Sequence, residues 1–126
     1  MLPEFLTVLS EELHIFPPPE MGPEGRAKVE INREVHVDVQ ELKPGVAMHA
    51  RVCPCPEGKR EDLYIKLMEA NLLGQGTGGA RIGLTKDEKF LTLSLGLPYE
   101  MNYQDFKQQL ELFVNYLDFW RQEIEK

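Results

Sequence analysis

Between residues 91 and 124 the apolar residues change their period, and that change restricts the possible fold more than any other feature of the chain. Leu91, Leu93, Leu95 and Leu97 alternate with Thr92, Ser94 and Gly96, the period-two signature of a strand with one buried face. Past Pro98, Asn102 stands as an N-cap, and Tyr103, Phe106, Leu110, Phe113, Leu117, Trp120 and Ile124 recur at alternating steps of three and four, which predicts a long amphipathic helix. A strand feeding such a helix asks for a helix layer against a sheet. The aromatics of the stripe fill that layer better than the knobs-into-holes seam of a coiled coil, for which the pattern is also short.

The preceding chain supplies the rest of the sheet. Phe5, Leu6, Leu9 and Leu13 have helical spacing, with Pro3 tolerated at the helix start. Pro17, Pro18 and Pro19, which lack an amide hydrogen and bias the preceding residue toward extended geometry, are expected to end this helix. Val29 and Ile31 alternate with polar neighbours, Asn32 and Arg33 punctuate, and Val35, Val37 and Val39 alternate again. After the turn signal Lys43-Pro44-Gly45, the residues Val46, Met48, Ala50 and Val52 resume period two, predicting a three-stranded antiparallel meander. Arg60 to Leu73 holds no glycine or proline and predicts a second helix. Ala80 to Leu84 with Leu91 to Leu97 predicts a hairpin. The expected fold is α+β, in the order α-β-β-β-α-β-β-α, with helices packed on a twisted, mostly antiparallel sheet.

The middle helix is apolar over most of its circumference: Leu63, Tyr64, Ile65, Leu67, Met68, Ala70, Leu72 and Leu73, against a polar stripe of Asp62, Lys66 and Glu69. A helix apolar over so wide an arc needs cover on more than one side. A domain this small covers one side with its own sheet, so the remainder points to a second subunit.

At 126 residues the chain is expected to form a single domain, 1–126, with no disulfide or metal needed for stability. Cys53 and Cys55 flank one proline, too close for an easy mutual bridge, and free thiols suggest a reducing compartment. The opening residues carry no basic segment followed by an apolar stretch, so no secretory signal is expected, and no run is long enough to span a bilayer. The formal net charge of -7, with basic residues scattered, repels a polyanion and argues against nucleic acid as a partner.

Motifs that carry chemistry are weak. Gly74, Gly76 and Gly79 satisfy the bare pattern G-x-G-x-x-G, but that pattern binds pyrophosphate only where a strand leads in and a helix N-terminus leads out. Here a helix leads in and a strand leads out, so the run reads as a left-handed helix cap at Gly74 and a tight approach of backbone. His49 and Cys53, on one extended strand, stand about 13 Å apart, too far for a hydrogen-bonded dyad. The carboxylates Glu11, Glu12, Asp105, Glu111 and Asp118 fall on polar helix stripes, where solvated charge explains them. Neither a G-x-S-x-G elbow nor an H-E-x-x-H helix is present. No catalytic residue, cofactor or metal is expected.

The stretch Glu69-Ala70-Asn71-Leu72-Leu73-Gly74-Gln75-Gly76-Thr77-Gly78-Gly79-Ala80, continuing to Ile82-Gly83-Leu84, resembles class I type III secretion chaperones, the CesT/SycE-like family. The likeness extends through Leu91 to Leu97, Tyr103, Phe106, Phe113, Val114 and Phe119-Trp120-Arg121, and more loosely through the first helix and meander. What the resemblance implies is a cytoplasmic bacterial dimer that binds the N-terminal segment of a secreted effector, keeps it secretion-competent without ATP and delivers it to the secretion apparatus. The alternative it leaves open is a regulatory adaptor, or one half of a heterodimer, controlling a secretion gate or transcription.

Two sets of site residues follow as expectations. Leu63, Leu67, Met68 and Leu72 of the middle helix are expected at a two-fold interface. Cargo is expected to add extended backbone to a sheet edge and to seat apolar side chains beside Phe5, Leu9, Ile31, Val35 and Val37, residues that alternation alone assigns equally well to the core.

Overall fold

The computed structural model describes residues 2–15, 21–22, 24–58, 60–73 and 80–125, and the backbone alone of 70–73 and 125. The chain runs α1 (Leu2–Leu13), β1 (Arg26–Glu30), β2 (His36–Leu42), β3 (Gly45–Pro54), α2 (Arg60–Leu73), β4 (Arg81–Leu84), β5 (Phe90–Leu97) and α3 (Tyr103–Glu125). This is the α+β order that the periodicities predict. The strands form one sheet in the order β1-β2-β3-β5-β4, with β1–β2, β2–β3 and β4–β5 antiparallel. Pro17–Pro19 and the glycine run Gly74–Gly79 lie outside the described residues.

Local chemistry fixes the ends of the elements. Asn102 caps α3: its Oδ1 accepts the Asp105 amide at 2.8 Å, satisfying one of the donors that a helix start leaves unpaired. At the end of α1, His14 takes the left-handed conformation at φ 56°, and the Ile15 amide donates to the Ser10 carbonyl at 2.9 Å, a Schellman cap. The helix therefore ends at Leu13, its last apolar position, before the prolines are reached. Because a Cβ makes the left-handed region costly, His14→Gly is expected to raise stability by about 0.5–1 kcal/mol in thermal or denaturant unfolding.

Ile31 departs from the sequence expectation. Alternation carries the first strand through it, but Asn32 Oδ1 accepts the amides of Glu34 (2.8 Å) and Val35 (2.9 Å), an Asx turn that ends β1 at Glu30. The β4–β5 turn is held similarly: Asp87 Oδ1 accepts Thr85 Oγ1–H at 2.5 Å and the Lys89 amide at 3.0 Å. The Thr85 hydrogen bond, ahead of the Lys89 one, holds the Asp87 carboxyl below the usual carboxylate range.

Burial gathers in two compact units, Met1–His49 with Gly96–Glu111 and Ala50–Leu95 with Leu112–Lys126; β3, β5 and α3 contribute residues to both. In the first, Leu2, Phe5, Leu6 and Leu9 of α1 are buried, as are Val29, Val37, Val39, Val46, Met48, Phe106 and Leu110. The Phe5 ring stacks on Phe106 with centroids 5.3 Å apart and lies 6.0 Å from Tyr103, contacts worth about 0.5–1.5 kcal/mol each beyond their burial. In the second, Val52, Leu67, Ile82, Leu91, Leu93, Phe113, Leu117 and Trp120 are buried. Here Arg121 of α3 donates through Nε to the Val52 carbonyl at 2.6 Å and through Nη2 to the Arg51 carbonyl at 3.0 Å. Lys66 of α2 pairs with Glu123 of α3 at 2.5 Å. Leu95, expected on the buried face of β5, is half-buried; it lies one residue past Ser94, the last β5 position with a β4 partner.

Candidate protein-binding edge

The strand order leaves β1 at one end of the sheet, so half of its backbone polar groups have no strand to meet. Which half follows from the hydrogen bonds. The Glu41 amide donates to the Gly25 carbonyl and the Ile31 amide to the Val35 carbonyl, each at 2.9 Å, so the odd-numbered residues of this stretch turn their backbone groups toward β2. Ala27 and Val29, opposite Val39 and Val37, continue that series. The even-numbered residues point outward. Arg26 demonstrates it, because its outward carbonyl accepts the Gly22 amide at 2.6 Å. Beyond it, the amides and carbonyls of Lys28 and Glu30 have no partner across that edge among the described residues. Two consecutive outward positions are a template for one extended segment of another chain.

The side chains expected to receive such a segment are placed as follows. Phe5, Leu9, Val35 and Val37 are buried within the chain itself; they form the core below the edge, and Phe5 is covered by Tyr103 and Phe106. Ile31, one residue past β1, is half-buried. The residues that sequence reasoning did not single out are Lys28 and Glu30. Their contribution is backbone direction, which side-chain periodicity does not report.

α1 is fastened beside this core by an ion pair between Glu12 and Lys107 of α3. The hydrogen bond from Lys107 holds the Glu12 carboxyl below the usual range, and the same bond raises Lys107. Burial, then the nearby Glu12 charge, pushes the Tyr103 hydroxyl up. The lowered Glu12 value means its contribution is present above the ordinary glutamate pKa and lost as pH falls through the depressed one. The raised Lys107 value means the opposite loss at the alkaline end. Glu12→Gln is therefore expected to flatten the acid limb of a melting-temperature profile against pH while leaving the near-neutral plateau little changed, since an exposed pair contributes little.

The dimer expectation divides α2. Leu67 is 5% exposed and belongs to the core, whereas Met68 is 69% exposed and Ile65 52%; Leu63 is half-buried, and the side chain of Leu72 lies outside the described residues. Ile65 and Met68, three residues apart, share one face of the helix.

No group of three or more His, Cys, Asp or Glu side chains among the described residues is arranged to hold a metal ion. Cys53 and Cys55 form no disulfide. No described helix is long and apolar enough to cross a membrane.

Residues 4–121 match the Tir chaperone protein (CesT) family. The chain belongs to this family. The fold of this CesT-family chain is also that of several solved structures. It superposes on the ExsC–ExsE complex with a TM-score of 0.78 and 16% identity, covering 96% of this chain and 91% of the other. For the HopA1–SchA chaperone–effector complex the TM-score is 0.72 at 14% identity, covering 96% and 93%. For the Yersinia pestis type III secretion chaperone SycH, solved with a stable fragment of YscM2, it is 0.66 at 21%, covering 91% and 92%. A Chlamydia pneumoniae protein is 28% identical over 69 residues, 55% of this chain and 52% of that one, so the CesT-family chain matches about half the length of this curated relative.

Proposed function

We propose that this CesT-family chain is a type III secretion chaperone. It binds the N-terminal region of a secreted effector or translocated protein as an extended segment along β1, keeps it soluble and secretion-competent, and delivers it to the secretion apparatus. It acts by binding alone, without catalysis or ATP hydrolysis, as one domain in the bacterial cytoplasm. The observation that carries this reading is the family match over residues 4–121, joined to an edge strand whose Lys28 and Glu30 backbone groups face outward. Main-chain bonding of this kind gives affinity without requiring one cargo sequence.

A homodimer is part of the proposal. Met68 and Ile65 present adjoining apolar surface on α2, and a symmetric pair of such helices would cover it. Leu63, half-buried, lies one turn before Leu67 on the opposite, inward face of the helix, and Leu67 supports the helix from below.

The test is purification of the tagged protein from its native host, with mass spectrometry of what co-elutes and light scattering of the complex. The N-terminal region of a secreted protein held by two copies of this chain is the expected result. Recovery of a transcription regulator, or of a single related small subunit, would replace the effector reading with a regulatory one.

A further inference from the structure

The charges along β1 stand in a fixed order. Arg26, Lys28 and Glu30 lie on its exposed face, and their partners across the strand pair are Gln40, Asp38 and His36. Glu30 has His36 Nδ1 at 3.8 Å. Arg26 faces neutral Gln40 and has Glu24 at 3.7 Å, both ends of that pair well exposed. Lys28, although opposite Asp38, forms no ion pair among the described residues. An open hollow of about 350 Å³, bordered by Arg26, Lys28, Asp38 and Gln40, lies over this stretch. In a chain of net charge -7, Arg26 and Lys28 are two adjacent and weakly partnered cations beside an open strand edge.

We infer that this edge selects its cargo by charge. The bound segment carries an acidic side chain in the cross-strand position of Lys28, within reach of Arg26. Two residues away, opposite Glu30, it carries a side chain that is not acidic. Between them, an apolar side chain falls beside Val29. The inference rests on the reading of β1 as the binding edge and adds the chemistry that sets its register. A slip by one residue turns the acidic side chain onto the buried face. A slip by two toward Glu30 sets like charges directly opposite each other, which is unfavourable. A slip by two the other way runs into Arg26, whose outward carbonyl is already bonded to Gly22. One register remains.

The experiment uses two synthetic peptides of roughly ten residues, enough to cover a strand of ordinary length. They alternate valine and threonine and differ at one central threonine position, glutamate in one and lysine in the other. Each is titrated into the full-length protein and into Lys28→Glu by calorimetry, with amide exchange followed by NMR. The glutamate peptide is expected to bind the natural protein roughly five- to tenfold more tightly. That preference should reverse in Lys28→Glu and shrink as salt screens the pair. Equal affinity of the two peptides, with both protecting the Lys28 and Glu30 amides, would overturn charge selection while leaving the edge reading intact. Absence of protection at those amides with either peptide would overturn the edge reading and charge selection with it. Lys28→Glu sets a carboxylate opposite Asp38, so its melting temperature should fall slightly while the protein stays folded, because the site is exposed.

Discussion

Gly45→Ala is expected to remove about 3–5 kcal/mol of stability, the largest loss anticipated from a single added methyl group at any glycine among the described residues. Two costs add. Gly45 adopts φ 111°, a conformation that a side chain strains. A Cβ there would also fall on the Leu97 carbonyl oxygen, 2.8 Å from the Tyr99 amide nitrogen and 2.9 Å from the Pro98 Cα. All three are backbone, so no side chain can swing aside. The residue opens β3 and pairs with Leu42 across the β2–β3 turn, so the strain enters the sheet at the turn that sets its register. Against a total stability on the order of 6–15 kcal/mol, chemical denaturation should show the midpoint falling by about a fifth or more. Gly58 is the control: nothing lies within 4 Å of a Cβ there, and Gly58→Ala should change stability by less than about 1 kcal/mol. Equal effects at the two positions would refute the close approach at Gly45.

The second large effect separates two neighbours on α2. Leu67→Asp puts a carboxylate at a site that is 5% exposed. Loss of the buried side chain and burial of an unpaired charge together cost several kcal/mol, so the protein should fail to fold or melt far below the natural chain. Met68→Asp alters a residue that is 69% exposed, where a charge is solvated and the cost to the single chain is small. Its effect should appear in association: light scattering is expected to move from the mass of two chains to that of one, with the circular dichroism spectrum unchanged. A Met68→Asp protein that stays dimeric would remove this face of α2 from the interface. A well-folded Leu67→Asp protein would contradict the placement of Leu67.

The fold was largely legible because its elements carry unambiguous periods. Leu91 to Leu97 and the Phe106–Trp120 stripe each admit one secondary structure, and Asn102 marks a helix start with a residue that has few other uses there. The boundaries were missed where a single side chain overrides a pattern. His14 takes a left-handed cap position that sequence rules reserve for glycine or asparagine, and the Asn32 carboxamide turns the chain before Ile31 can join β1. The site was less legible for a different reason. Alternation says which side chains of β1 face the core, but the direction of its unpaired backbone depends on β1 standing at the end of the strand order, which is a property of tertiary structure. Phe5, Leu9, Val35 and Val37 could therefore be picked out as an apolar set without revealing that the chain buries them itself. On α2 the apolar arc is too wide for period alone to choose between Leu67 and Met68; packing makes that choice.

The central claim is that a partner segment pairs with the outward edge of β1. The most direct measurement is residue-level amide exchange on the protein alone and on the complex purified with its native partner. Lys28 and Glu30 should exchange fast in the free protein and become strongly protected in the complex, while Ala27 and Val29, already bonded toward β2, change little. If the complex stays intact through the measurement and the Lys28 and Glu30 amides exchange as in the free protein, the partner binds elsewhere and the account of this edge is wrong.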